Sequence, residues 1–121
     1  MTSNSPTVLI VEDEFLVRMI AADSLSESGF TVLEAQDAEE ALDLLERNQV
    51  AVLFTDVNMP GPINGLELAE IVAGRRPEVK VVVTSGREWI DESRLPDDGV
   101  YLPKPYQPAQ LTETVRAQTR D

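Results

Sequence analysis

Five side chains with the chemistry of a reactive site stand at or just beyond the ends of apolar stretches of this sequence. They are Glu12, Asp13, Asp56, Ser85 and Lys104. Each one alone is compatible with a plain structural role, such as capping or solvating the end of a strand. Three carboxylates, a hydroxyl and a lysine in equivalent positions are harder to ascribe to chance.

Carboxylates that are brought together repel each other, which raises their pKa values unless a cation joins them. The sequence contains no His and no Cys, so any metal would be held by oxygen atoms, which favours Mg²⁺ or Ca²⁺. A carboxylate can also act as a nucleophile and form an aspartyl phosphate. Phosphoryl transfer then depends on neutralising the phosphoryl oxygens, and a metal ion, Lys104 and the Ser85 hydroxyl are suited to that.

The elements that position these side chains are predicted from an alternation of apolar runs and helical patterns. The predicted strands are residues 7–11, 30–33, 50–55, 79–84 and 100–102. The predicted helices are residues 15–28, 37–47, 64–75 and a last one from residue 108, with a short, weak helix within 87–94. Apolar strands that alternate with helices are typical of a doubly wound parallel sheet in the α/β class. The carboxyl ends of its strands share one edge, so the five side chains are expected to meet there.

Composition restricts the remaining possibilities. The 121 residues are 42% hydrophobic and 26% charged, which is typical of one globular domain. The net charge of −12 argues against a nucleic-acid partner, because phosphate contacts need clustered Lys and Arg. No apolar run reaches transmembrane length, so no membrane association is expected and a cytoplasmic location is predicted. Residues 1–6 are predicted to be a flexible tail, and residues 7–121 the domain.

The motifs, in this order, resemble the receiver domain of two-component response regulators. The matching segments are Glu12-Asp13, Asp56-Val-Asn-Met-Pro with Gly65, Thr84-Ser85-Gly86 and Tyr101-Leu-Pro-Lys104-Pro105. The resemblance covers nearly the whole chain. It implies a flavodoxin-like (βα)5 fold with five parallel strands in the order 2-1-3-4-5.

The resemblance also implies the chemistry of the site. Asp56 would accept a phosphoryl group from a phosphohistidine of a histidine kinase or a histidine phosphotransfer protein. Mg²⁺ would be held by the side chains of Asp13 and Asp56, by the backbone carbonyl of Asn58, and through water by Glu12, which replaces the commoner Asp. The only enzymatic chemistry expected is phosphorylation of the domain itself and its reversal.

A switch is implied by the same resemblance. Lys104 would pair with the phosphoryl group, Ser85 would move in to hydrogen-bond it, and Tyr101 would follow inward or simply pack in the core. Ser85 is favoured over Thr84 because Gly86 then fills the small-residue position of the family. The surface formed by the family's fourth helix, fifth strand and fifth helix would then control a protein partner or serve a phosphorelay.

Two departures from the family pattern matter. The loop between Pro60 and Gly65 is one residue longer than usual, and the stretch from Ser85 to Lys104 is shorter, which predicts a short or irregular fourth helix. No further domain follows the last helix, so a stand-alone receiver is expected.

Three alternatives remain open. A degenerate receiver would act as a constitutive protein-binding module. A small phosphatase of the haloacid-dehalogenase kind would need a second acid where this chain has Asn58. A nucleotide-binding flavodoxin-like protein would need a Gly-rich loop after residues 7–11, which the sequence lacks.

Overall fold

The computed structural model describes residues 5–96 and 98–120. The strands are β1 (Thr7–Val11), β2 (Thr31–Ala35), β3 (Val52–Asp56), β4 (Lys80–Ser85) and β5 (Val100–Pro103). The helices are α1 (Phe15–Glu27), α2 (Ala38–Arg47), α3 (Gly65–Arg75) and α4 (Pro108–Gln118). Between β4 and β5, the helical structure in the described residues is a single 3₁₀ turn, Glu92–Arg94. The predicted irregular fourth helix is therefore confirmed, and α4 corresponds to the family's fifth helix.

The strands form one parallel sheet in the order β2-β1-β3-β4-β5, which confirms the predicted order. The register aligns the carboxyl ends of the central strands. Val11 pairs with Thr55, and Asp56 pairs with Thr84. At the next position Ser85 pairs with Pro103 on β5. The sheet thus brings the ends of β1, β3, β4 and β5 to one edge.

Helices cover both faces of the sheet, because successive side chains of each strand point to opposite sides. On one face, Leu9 and Leu53 pack with buried residues of α2 and α3. On the other, Ile10 and Phe54 pack with buried residues of α1 and α4. The doubly wound arrangement is confirmed, with one hydrophobic core on each side.

The helix starts follow from local hydrogen bonds. The Asp37 carboxylate accepts from the Glu40 amide at 2.8 Å, as the predicted N-cap requires. At α3, Asn64 and Glu67 form a reciprocal capping box with two bonds of 2.9 Å. The second cap fixes the point where α3 leaves the extended loop after β3.

Some predicted boundaries were shifted. The strands predicted at residues 50–55 and 79–84 end one residue later, at Asp56 and Ser85, because parallel pairing with neighbouring strands continues to those residues. β2 runs to Ala35 rather than residue 33 for the same reason, paired with β1. Of the predicted flexible tail, residues 1–4 lie outside the described part. Pro6 accepts a hydrogen bond from the Thr31 amide at 3.0 Å, so contact with β2 begins one residue before β1.

None of the helices in the described part is both long and apolar enough to span a membrane.

Candidate functional site

Three carboxylates converge where β1 and β3 end. Glu12 and Asp56 are buried, with 3% and 6% of their surfaces exposed, while Asp13 is exposed at the rim. One carboxylate oxygen from each of the three lies within 4.8 Å of the others. The edge predicted from the strand ends therefore exists as a compact acidic cluster.

Lys104 balances part of this negative charge. Its Nζ donates to Glu12 Oε1 at 2.9 Å and to Asp56 Oδ2 at 3.1 Å. Burial raises the pKa of Glu12, and the charge of Asp56 adds to the rise, although the hydrogen bond from Lys104 opposes it. Burial alone would lower the pKa of Lys104, but the hydrogen bond and charge of Glu12, followed by Asp56, outweigh it and raise that pKa. Lys104 is consequently a permanent cation across the physiological pH range.

Backbone and side-chain groups of Asn58 connect Asp56 with Ser85. The Asn58 amide donates to Asp56 Oδ1 at 3.2 Å, and the Asn58 side-chain nitrogen donates to Ser85 Oγ at 3.2 Å. The Arg87 amide also donates to Ser85 Oγ, at 3.3 Å. Ser85 is therefore linked to the acidic cluster through one residue.

Thr84, the alternative hydroxyl, has different surroundings. Its Oγ1 is buried and has no hydrogen-bond partner among the described residues. Neighbouring side chains on a strand point to opposite faces, so Thr84 and Ser85 do not share an environment. Of these two hydroxyl groups, the one that accepts a hydrogen bond from the Asn58 side chain is that of Ser85.

Tyr101 lies against the segment that follows Ser85. Its hydroxyl is 3.1 Å from the carbonyl oxygens of both Ser85 and Glu88, and it donates to one or shares its proton between them. The Trp89 ring meets the Tyr101 ring edge-on, with centroids 5.1 Å apart. Tyr101 is thus tied to the end of β4 rather than only packed in the core.

The backbone of Asp56 is also touched by the start of α3. A Cβ on Gly65 would lie 2.0 Å from the Asp56 carbonyl oxygen and 2.8 Å from the Val57 Cα. The Gly65 amide donates to the Val57 carbonyl at 2.9 Å. Only glycine allows α3 to approach the acidic loop this closely.

Three features of the site were not predicted from the sequence. Tyr106 packs edge-on against Phe54, with centroids 5.8 Å apart, and burial raises its pKa to about 12. Arg94 lines an open cavity of about 440 Å³ together with Asp13, Asn58 and Arg87, among other residues. A lone aromatic and a surface arginine carry no periodic signal, and only the folded chain shows where they lie.

The third unpredicted feature is an exposed apolar face at the start of α1. Four large side chains there are exposed, namely Phe15, Leu16, Met19 and Ile20. This face begins at Phe15, two residues after Asp13, in the segment that follows β1. Helical spacing predicted the helix, but the same spacing does not distinguish a core-facing side from a partner-facing side.

The donor set fits a divalent metal. Three carboxylates with oxygens within 4.8 Å of one another match the hard oxygen ligands that Mg²⁺ prefers. The Asn58 backbone lies beside Asp56, as its amide hydrogen bond shows. Glu12 is bound on both oxygens, to Lys104 and to the Glu14 amide, so a contact through water suits it better than direct ligation.

A family model of the response regulator receiver domain matches residues 8–116. The chain belongs to the receiver domain family of response regulators. Among curated relatives, the sensor kinase CckA of Brucella abortus is 38% identical over 119 residues, covering 94% of this chain and 12% of that protein. The transcriptional regulatory protein PdtaR of Mycobacterium tuberculosis is 35% identical, covering 89% of this chain and 54% of that protein.

Solved structures show the same relationship. The receiver domain of the hybrid histidine kinase CckA superposes with a TM-score of 0.82 at 38% identity, covering 94% of this receiver domain and 99% of that chain. A CheY-like receiver domain from Methanospirillum hungatei superposes with a TM-score of 0.86 at 25% identity, covering 96% and 94%. The family resemblance inferred from the motifs is confirmed. The receiver domain spans about half of PdtaR and a much smaller share of the kinase.

Proposed function

We propose that this receiver domain accepts a phosphoryl group on Asp56, in a reaction that depends on Mg²⁺, from a phosphohistidine of a histidine kinase or histidine phosphotransfer protein. The supporting observation is the arrangement around Asp56. One carboxylate oxygen accepts from Lys104 Nζ and the other from the Asn58 amide. Asp13 and Glu12 supply further oxygen ligands beside it.

In this proposal an Asp56 oxygen attacks the phosphorus of the donor. The new O–P bond forms as the P–N bond of the phosphohistidine breaks, and the imidazole leaves with the bonding electrons. Bound Mg²⁺, held by Asp13, Asp56 and the Asn58 carbonyl and through water by Glu12, would neutralise charge on the phosphoryl oxygens. Lys104 would shift from the carboxylate oxygens to the phosphoryl group while remaining protonated, as its raised pKa requires.

The switch proposed for this domain begins at Ser85. Its hydroxyl would exchange the amides of Asn58 and Arg87 for a phosphoryl oxygen. Tyr101, hydrogen-bonded to the Ser85 carbonyl, would respond to that move and change the surface formed by β5 and α4. This surface would then act on a protein partner or in a phosphorelay.

The exposed apolar face of α1 supports a protein as the phosphodonor. Phe15, Leu16 and Ile20 are 62%, 64% and 56% exposed, beside the rim of the acidic cluster. Contiguous large apolar side chains on a surface mark protein interaction sites. Receiver domains of two-component systems interact with histidine kinases or phosphotransfer proteins, and we propose this face as the place where such a donor docks.

The catalytic activity proposed for the domain is limited to its own phosphorylation and dephosphorylation, in the cytoplasm and without a nucleic-acid partner. Because the activity belongs to the receiver unit, it does not depend on what adjoins the domain in a longer protein. The stand-alone arrangement stays a prediction.

The test is the intact mass of the protein after incubation with Mg²⁺ and a small-molecule phosphodonor. The wild type should gain one phosphoryl group, and Asp56→Asn or the wild type with a chelator should gain none. If the wild type gains nothing from either a small donor or a phosphorylated kinase, the acceptor function is refuted and a constitutive binding module becomes the better account.

A further inference from the structure

In the described residues between β4 and β5, the helical structure is one short turn. The 3₁₀ turn Glu92–Arg94 is capped by Asp91, whose Oδ1 accepts from the Ser93 amide at 2.9 Å. Ile90 and Leu95 on either side of it are buried. The turn is therefore a small, internally bonded unit between two buried side chains.

One end of this turn holds the edge of the sheet. Glu92 Oε2 accepts from the Tyr101 backbone amide at 2.8 Å. The Lys104 amide donates to the Ser85 carbonyl of β4 at 3.1 Å. Successive amides of a strand point to alternate sides. Because Tyr101 is three residues before Lys104, its amide points away from β4. Pro103, the next outward residue, has no N–H. Glu92 thus occupies the outward donor of β5, the edge strand of the sheet.

The other end of the turn faces the acidic site. Arg94 lines the open cavity of about 440 Å³ whose walls also include Asp13 and Asn58. Asp56 is not one of the residues that line this cavity, but the amide of Asn58, which does line it, donates to Asp56 Oδ1. A phosphoryl group on Asp56 would therefore stand next to the cavity. A phosphoryl group adds nearly two negative charges and three acceptor oxygens, and an arginine fork matches that geometry.

We propose that Arg94 is a phosphoryl-binding residue of this receiver domain, and that its movement to the phosphoryl group on Asp56 withdraws Glu92 from the Tyr101 amide. The inference rests on the proposed phosphorylation of Asp56. Because Glu92 and Arg94 belong to one three-residue turn, a rotation that brings Arg94 toward the site moves Glu92 as well. The turn would then couple the acidic site to the edge strand β5.

Trp89 provides a built-in reporter for this movement. It is the single tryptophan of the chain, and it is 75% exposed with its ring against Tyr101. Tyr101 is held by its hydroxyl at Glu88 and by its amide at Glu92. When the Tyr101 amide loses its hydrogen bond to Glu92, the packing of the Trp89 and Tyr101 rings should change, and the fluorescence emission of Trp89 should change with it.

The experiment follows hydrogen exchange of the Tyr101 amide by NMR on the ¹⁵N-labelled domain with Mg²⁺ and a small-molecule phosphodonor. Intact mass gives the extent of phosphorylation in the same samples. In the wild type, exchange at Tyr101 should accelerate about tenfold or more on phosphorylation, as expected when a local hydrogen bond opens. Trp89 emission should change together with it.

Variants separate the two ends of the turn. Glu92→Ala should exchange rapidly at Tyr101 in both states, which shows that the readout reports the Glu92 contact. Arg94→Ala, compared at equal phosphorylation, should keep the slow exchange of the unphosphorylated wild type. Arg120→Ala, which removes the same charge from another exposed position, should behave as the wild type.

Three results would overturn the inference. A phosphorylated wild type with unchanged Tyr101 exchange refutes the release of Glu92, while the acceptor function stands. If phosphorylation accelerates hydrogen exchange at the Tyr101 amide of Arg94→Ala as much as in the wild type, the proposed role of Arg94 is refuted. A wild type that takes up no phosphoryl group refutes the proposed function and this inference together. If Arg94→Ala resists phosphorylation, Arg94 acts at the phosphoryl group, and Arg94→Lys then tests the coupling by the same readout.

Discussion

At the scale of single residues, the charge balance of the site depends on Lys104. It contacts two carboxylates whose side chains are only 5% and 7% exposed. Removing one partner from a buried ionic group leaves the other charges uncompensated. The resulting loss of stability is larger than the net stability that the intact pair contributes. Lys104 is therefore expected to serve the fold as well as the chemistry.

Lys104→Ala should fold but lose about 2–4 kcal/mol in free energy of unfolding without Mg²⁺. Mg²⁺ should restore part of the loss, because a divalent ion at the same carboxylates replaces the missing positive charge. Denaturant unfolding with and without Mg²⁺ measures both effects. The control is Lys80→Ala, whose exposed ion pair with Asp98 spans 3.7 Å and should contribute under about 1 kcal/mol. Equal losses in the two variants would contradict the charge balance described for the site.

Tyr106 gives a pH dependence of defined sign. Its folded-state pKa is raised from 10.0 to about 12 by burial, so the folded state keeps the phenol proton that the unfolded state loses. The stabilisation is complete below pH 10 and is lost as the pH rises toward 12. Between pH 10 and pH 12 the free energy of unfolding should fall by about 1–2 kcal/mol, a value reduced to allow for the partial exposure of the ring.

Tyr106→Phe isolates this contribution. The difference in free energy of unfolding between wild type and variant should be constant up to pH 10 and should shift in favour of the variant above it. Urea titrations at a series of pH values measure the difference. A difference that stays flat to pH 12 would show that the hydroxyl is not held in its neutral form.

At the scale of elements, the junction of β3 and α3 positions Asp56. Gly65→Ala should destabilise the fold by about 2–4 kcal/mol and impair phosphorylation, because its Cβ would overlap the Asp56 carbonyl and displace that backbone. Gly74→Ala in the same helix has nothing within 4 Å of its Cβ and should stabilise by about 0.5–1 kcal/mol. Thermal unfolding compares the two. Similar effects of both substitutions would mean that α3 does not contact the acidic loop as described.

The amino-terminal half of α1 is the element proposed to dock the donor. Leu16→Asp should slow phosphotransfer from a phosphohistidine protein by about tenfold or more, as for a central interface residue. Phosphorylation by a small molecule should be unaffected, because the acidic cluster is unchanged. Ser26→Asp, at the other end of the helix, is the control for added charge. Equal slowing with both kinds of donor would place the defect in the site and not in docking.

At the scale of the whole molecule, the sequence predicted the alternation of strands and helices and the common edge of their ends, since buried parallel strands are continuous apolar runs. The order of the strands required the family resemblance, because periodicity says nothing about which strands pair. Glu12, Asp13, Asp56 and Lys104 were predicted as neighbours because topology alone brings strand ends together.

The remainder depends on tertiary contacts. The approach of Arg94 to the cavity, the Glu92–Tyr101 bond and the exposure of Phe15 arise from a short connection and from helix orientation. The short length of the connection is readable from the sequence, but the positions of its side chains and the orientation of α1 leave no pattern in a single sequence.

The role of Asp56 as acceptor is tested most directly by locating the phosphoryl group on the chain. After phosphorylation with Mg²⁺ and a phosphodonor, borohydride reduction converts an aspartyl phosphate to homoserine, which peptide mass spectrometry locates. Homoserine is expected at position 56 and at no other acidic residue. Modification at Asp13 or Glu12 instead, or phosphorylation that persists in Asp56→Asn, would contradict the assignment of Asp56 as the acceptor.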